Sequence, residues 1–166
     1  PLAVTEMPDL IVGGGRQLGG DMVTLVAGHA QGPVLHLEEP LSFWGGVDIA
    51  TGVITDRNHP QAGESVTGKV LVVPHTRGSS STSSVIAEMI RVGTAPAAVV
   101  LRNRDPVVVL GAVVARELYG RVLPVVAVGE DLHERLAASA FAEVVPGGVR
   151  EIDRSSGSEM QGRMPI

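Results

Sequence analysis

The sequence predicts an α/β domain built on a parallel sheet, and three observations carry that prediction. Hydrophobic residues make up 44% of the chain but aromatics only 2%, so the core must be assembled from Val, Ala, Leu and Ile, which suit close-packed strands and helices. The first half is β-rich, a series of short strand-like runs broken by glycines and prolines. In the second half, continuous apolar runs alternate with segments of helical period. Such runs read as strands buried on both faces, hence a parallel sheet with right-handed crossovers covered by helices. A second, antiparallel sheet drawn from the first half is expected to cover the other face. At 166 residues the chain supports one main domain.

In chain order, residues 1–22 contain "VGGGRQLGGD", five glycines in the eight positions from Gly13 to Gly20, which reads as a flexible lead-in or linker. It is no dinucleotide loop. Counted from Gly13, the last glycine of G-x-G-x-x-G is replaced by Leu18, and no strand precedes it. Because the chain starts at Pro1 rather than a methionine, one expectation is a processed or excised piece of a longer polypeptide. From Val23 onward, "VTLVAGHA", "PVLHLEE" and "GKVLVVPH" are strand-like, with the turn-rich "DIATGVITDRNHPQAGES" before the third. After Ser79, Val85, Ile86, Met89 and Ile90 stand at helical spacing and Gly93 closes the segment. "APAAVVLR" is a buried strand. Asp105 and Pro106 form the N-cap and first position of the helix "VVVLGAVVARELYG". "RVLPVVAVG" is a further strand, "EDLHERLAASAF" an amphipathic helix and "AEVVPGG" a last short strand. The domain thus spans 23–152, and the polar tail 153–166 is expected to fray.

Composition excludes several partners. A net charge of -5 leaves no basic stripe, and without aromatic platforms a nucleic acid loses both of its usual attractions. Cysteine is absent, so the chain supplies neither a disulfide nor a thiolate ligand, and any iron–sulfur cluster must belong to another polypeptide. No apolar run reaches membrane-spanning length and the N-terminus lacks a signal-peptide pattern. A soluble cytoplasmic protein is the expectation.

The most informative stretch is "RGSSSTSSV", residues 77–85. A strand, a short turn and a helix opening among serines bring unpaired amides and hydroxyls to one helix N-terminus, at the carboxyl end of the strand. That place favours a carboxylate, phosphate or alkoxide, and Arg77 adds a bidentate fork if it turns inward. The competing reading is that one serine caps the helix, another closes the turn and the rest are solvated. Capping accounts for one or two hydroxyls but not for a run of this length.

Rival motifs fail. "GESVTGK", residues 63–69, has the glycine spacing of a Walker loop, but Val70 stands where its Ser or Thr belongs, and a strand follows. The serine run lacks the closing glycine of a nucleophile elbow. His75 has no second histidine or carboxylate at metal-ligand spacing, so no metal site is expected. In "FWGGVD" the only tryptophan precedes a glycine pair, either as a loop approaching substrate or partner, or as a buried anchor beside a tight turn. "RNRDP", 102–106, either adds basic groups at another strand's carboxyl end, where α/β sites cluster, or is a solvated loop, the reading preferred, and His59-Pro60 sits in a turn.

"EPLSFWGGVD", "TGVITDRNHPQAGES", "RGSSSTSSV", "GTAPAAVVLR" and "DPVVVLGAVVA" follow one another between Gly28 and Val128. In that order and spacing they resemble the swivel domain of the aconitase X family, which also occurs as a separate small subunit.

The resemblance implies a swivelling β/β/α domain of three layers: a parallel sheet with helices on one face and a second β layer on the other. It would close over a larger, cysteine-bearing catalytic domain or subunit that holds an iron–sulfur cluster, with no cofactor on this chain. Members of the family are hydro-lyases, dehydrating cis-3-hydroxy-L-proline or mevalonate 5-phosphate. Scarce lysine and modest acidity tilt the expectation towards hydroxyproline. In the wider superfamily the serine directly after the glycine of "GSS" is the catalytic base, which here is Ser79, with Arg77, Gly78, Ser80 and Ser81 around the substrate. Aconitase proper carries an arginine where Ser81 stands, so the substrate carboxylate needs another holder, and Arg77 is the candidate. Which hydroxyl of Ser79 to Ser81 acts as base awaits geometry. Two readings from other classes remain: a phosphotransfer swivel module, although "SSVIAEMIRVGTAPAAVV" lacks the histidine, and a non-catalytic anion-binding module using the serine cradle as a nest.

Overall fold

The computed structural model describes residues 22–152. Apart from Met22, the expected lead-in lies outside the described residues, as does the expected tail from 153. The elements run β1 (Met22–Val26), β2 (Ala30–His36), β3 (Leu41–Ser42), the single turn α1 (Phe43–Gly46), β4 (Val70–Val73), β5 (Thr76–Arg77) and α2 (Ser81–Val92). They continue as β6 (Ala98–Leu101), α3 (Pro106–Tyr119), β7 (Val125–Val128), α4 (Glu130–Ala137), β8 (Phe141–Val145) and β9 (Gly148–Glu151).

One seven-stranded sheet has the order β1-β7-β6-β4-β2-β8-β9. Its centre, β2, β4, β6 and β7, is parallel. These strands have no polar face because both of their faces are covered. Leu71, Val73, Val99, Leu101 and Val125 meet Val85, Ile86, Met89 and Ile90 of α2 and Val108, Ala112 and Ala115 of α3. The alternate residues Val70, Val72, Ala98, Val100 and Val126 meet Leu132 and Leu136 of α4 with Ala142, Val144 and Val149 of β8 and β9. Each fully buried Val or Leu side chain contributes about 1.5–3 kcal/mol of transfer free energy.

The α/β class and the mostly parallel sheet are as the sequence predicts. The origin of the second layer differs. The antiparallel ladder joins the first half of β2 to β8 and then β9, at the C-terminal end of the domain. β1, expected in that layer, instead pairs antiparallel with β7 at the edge of the main sheet. Helix α4 also packs on the second face, so the helices are not confined to one side. A four- or five-residue apolar run carries no local mark of its pairing partner, which long-range packing decides. β2 changes partner in mid-strand, from β8 at Ala30–Pro33 to β4 at Val34–His36.

Helices α2 and α3 touch closely. The Ser83 hydroxyl donates to the Val107 carbonyl at 2.9 Å, and a Cβ on Gly111 would lie 2.8 Å from the Ser83 carbonyl oxygen. On the other face His133 is only 4% exposed, with its ring edge-on to His36 at 6.4 Å and its Nε2 without a hydrogen-bond partner among the described residues. Burial pushes its imidazole below the ordinary histidine range, opposed by the Val73 carbonyl and reinforced by Arg102 and His36. At the β2–β8–β9 end, Glu143 is gripped by His29 at 2.6 Å and by Arg150, contacts that hold its carboxyl below the usual carboxylate range.

Candidate active site

β4 leaves the core at Val73, and Pro74 turns the chain. The Pro74 carbonyl accepts the amides of Arg102 at 3.1 Å and Asn103 at 3.2 Å, so the 102–105 loop follows this turn closely. The next residues form β5, which pairs in parallel with β3, Leu41 opposite Thr76 and Ser42 opposite Arg77. Gly78 then adopts φ +120°, and a Cβ there would lie 2.7 Å from Thr82 Oγ1. Only glycine fits this corner without strain.

Helix α2 opens tightly, the Thr82 amide donating to the Ser79 carbonyl at 3.0 Å and the Ser83 amide to that of Ser80 at 3.1 Å, an i→i−3 first turn. The serine run divides by role. Thr82 and Ser83 are buried: Thr82 Oγ1 reaches back to the Arg77 carbonyl at 3.5 Å, and Ser83 is spent on α3. Ser79, Ser80 and Ser81 are exposed side by side. Of these three, Ser79 alone has a main-chain amide aimed at its side-chain oxygen, from Ser81 at 3.4 Å. Ser80 already has helical φ/ψ and its side chain makes no cap. The Arg77 side chain is exposed and has no partner among the described residues. The five residues singled out by the sequence, Arg77 to Ser81, therefore form one continuous exposed turn at a strand end and a helix N-terminus, where amide dipoles stabilise negative charge.

Two neighbours frame it. Ser42 Oγ lies 3.7 Å from where a Gly78 Cβ would be, and it donates to the Trp44 carbonyl at 2.8 Å. Trp44 is 64% exposed whereas Phe43 beside it is 2% exposed, so Phe43 and not Trp44 is the buried anchor of "FWGGVD". The second neighbour, Asp105, was legible only as a cap. It accepts the amides of Val107 and Val108, as expected, and also the amide and hydroxyl of Thr76. His59 is structural, its Nε2 on the Glu39 carbonyl and its Nδ1 accepting the Gln61 amide. His75 is exposed. Among the described residues no three His, Asp or Glu side chains cluster as a metal site, and no helix is long and apolar enough to cross a membrane.

The buried Thr82 and Ser83 had a signal. Thr82 stands four positions before Ile86 and seven before Met89, and Ser83 three before Ile86 and seven before Ile90, so the apolar stripe of α2 extends back through them.

A family model described as the aconitase X swivel domain matches residues 21–152. The chain belongs to the aconitase X swivel domain family. A cis-3-hydroxy-L-proline dehydratase from Pseudomonas aeruginosa is 44% identical over 140 residues, 84% of this chain but 24% of that protein. The chain thus spans about a quarter of that relative's length. A phosphomevalonate dehydratase small subunit from Methanopyrus kandleri is 39% identical over 132 residues, 72% of this chain and 93% of its own length. The crystal structure of Thermococcus kodakaraensis aconitase X in its holo-form superposes with a TM-score of 0.69 at 30% identity, covering 81% of this chain and 98% of that one. A swivel domain of this family therefore carries the Arg77–Ser81 turn on its surface.

Proposed function

We propose that this chain is the swivel component of an aconitase-X-type dehydratase, in which Ser79 is the general base and a larger catalytic part supplies the rest of the active site. The observation that carries this reading is the Ser81 amide directed at Ser79 Oγ across 3.4 Å. A serine hydroxyl is a poor base in water. An alkoxide at that oxygen gains from the amide, from the helix N-terminus and from Arg77, and gains more once a partner excludes solvent. Ser79 Oγ would then take a proton from carbon, the carbon's electron pair would form the double bond, and the substrate hydroxyl would leave as hydroxide, taking a proton from an acid of the larger part to depart as water. Arg77 is the proposed holder of the substrate carboxylate, with Ser80, Ser81 and the Gly78 backbone beside it.

The substrate proposed first is cis-3-hydroxy-L-proline, after the relative that is 44% identical; mevalonate 5-phosphate is the alternative, after the small-subunit relatives. The residues of this chain do not fit an iron–sulfur cluster, because it has no cysteine. Any such cluster belongs to the larger part.

The test is to assemble the chain with that larger part and to follow water loss from each substrate. Ser79→Ala is expected to lower kcat by about 10²–10⁴-fold with assembly intact, and Arg77→Ala to raise KM. Full turnover by Ser79→Ala refutes the base. The absence of activity with any partner, together with anion binding by the isolated chain, would favour the nest reading. Acid-labile histidine phosphate would favour the phosphotransfer one.

A further inference from the structure

Trp44 is the only tryptophan of the chain, and at 64% exposure it offers most of an indole to solvent. Its backbone is nevertheless fixed. Gly45 turns the chain at φ +77°, the Ser42 hydroxyl holds the Trp44 carbonyl at 2.8 Å, and the Gly46 carbonyl accepts the Thr55 amide at 2.9 Å. Phe43 pins the turn into the core. A large aromatic held out on a rigid turn loses little freedom on burial, which is the profile of a binding hot spot. Its position adds the second argument. Ser42, two residues before it, pairs with Arg77 and abuts Gly78, so a surface that closes over Ser79 reaches Trp44 as well.

We infer that Trp44 is the anchor by which this chain docks on the larger catalytic part, entering an apolar pocket there that offers an acceptor to the indole N–H. The inference rests on the proposed function. It adds a partner-binding role for a residue outside the reacting groups.

The experiment measures assembly and turnover together. Trp44→Ala is expected to raise the dissociation constant of the pair by roughly thirtyfold or more, the size of a hot spot, with lost turnover regained at excess partner. Trp44→Phe is expected to fall between. A second measurement needs no substitution: with 5-fluorotryptophan in this chain and an unlabelled partner, the single ¹⁹F resonance is expected to lose its solvent-isotope shift on assembly. Unchanged affinity of Trp44→Ala, or a resonance that stays solvent-exposed in the active pair, overturns the inference. So does normal assembly with a raised KM, which would turn Trp44 towards substrate. Ser79→Ala separates the two ideas, since full activity there sinks the base while leaving the docking result to be read by itself.

Discussion

Asp105 accepts two hydrogen bonds from Thr76 through one oxygen, Oδ2, from the amide at 2.9 Å and from the hydroxyl. Its other oxygen caps α3 through the amides of Val107 at 3.0 Å and Val108 at 3.3 Å. One buried carboxylate thus joins the start of α3 to the strand that delivers Arg77. Asp105→Ala removes the cap and leaves buried donors unpaired, and is expected to cost roughly 2–3 kcal/mol in urea unfolding. Asp105→Asn keeps one acceptor and is expected to lose less.

Gly78→Ala places a Cβ 2.7 Å from Thr82 Oγ1 at φ +120°. The backbone strain alone is worth about 1–3 kcal/mol. Adding Thr82→Ala removes the clash but not the strain, so the double variant is expected to regain only part of the loss by thermal unfolding. Complete recovery would show that the clash alone matters.

Gly111→Ala would gain about 1 kcal/mol of helix propensity in an open helix. Here the new methyl lies 2.8 Å from the Ser83 carbonyl oxygen and 3.0 Å from Ile86 Cβ, and overpacking costs about 1–3 kcal/mol. Packing wins, so Tm is expected to fall. The displaced α2 carries Ser81, so on the proposed function the chain assembled with its larger part is expected to lose turnover too.

His133 supplies a pH dependence. Burial holds its pKa below the ordinary value, with His36 and Arg102 acting in the same direction and the Val73 carbonyl and Glu134 against it. The unfolded chain then binds the proton more readily than the native one. Stability is full above the unfolded value of about 6.5 and falls as pH drops below it. His133→Leu is expected to flatten that portion of the stability curve, measured by urea titration at several pH values. A slope that persists in the variant assigns the effect to other groups.

Legibility followed the range of the interaction. Asp105-Pro106, Gly93 and the stripe Val85, Ile86, Met89 and Ile90 obey local rules of capping and period, and they are where the sequence places them. The helix start among the serines was readable for the same reason, whereas Arg77, read as part of the turn, closes β5. The pairing of β8 with β2 was not readable, because Glu143 and Gln31 become partners only through the folded core. Asp105 was half legible: its cap is two residues away, whereas its second partner, Thr76, lies 29 residues back. Phe43 and Trp44 are adjacent aromatics that no spacing rule sorts, and packing alone sends one inward.

The two-stranded ribbon of β3 and β5 holds Leu41–Ser42 and Thr76–Arg77 side by side. On the proposed docking, the tryptophan and the serines flank this one ribbon before any encounter, so union with the larger part would sacrifice little disorder. The speed of that union would then be governed by diffusion and by facing the right way, as for two finished parts, rather than by the slower settling of a mobile loop.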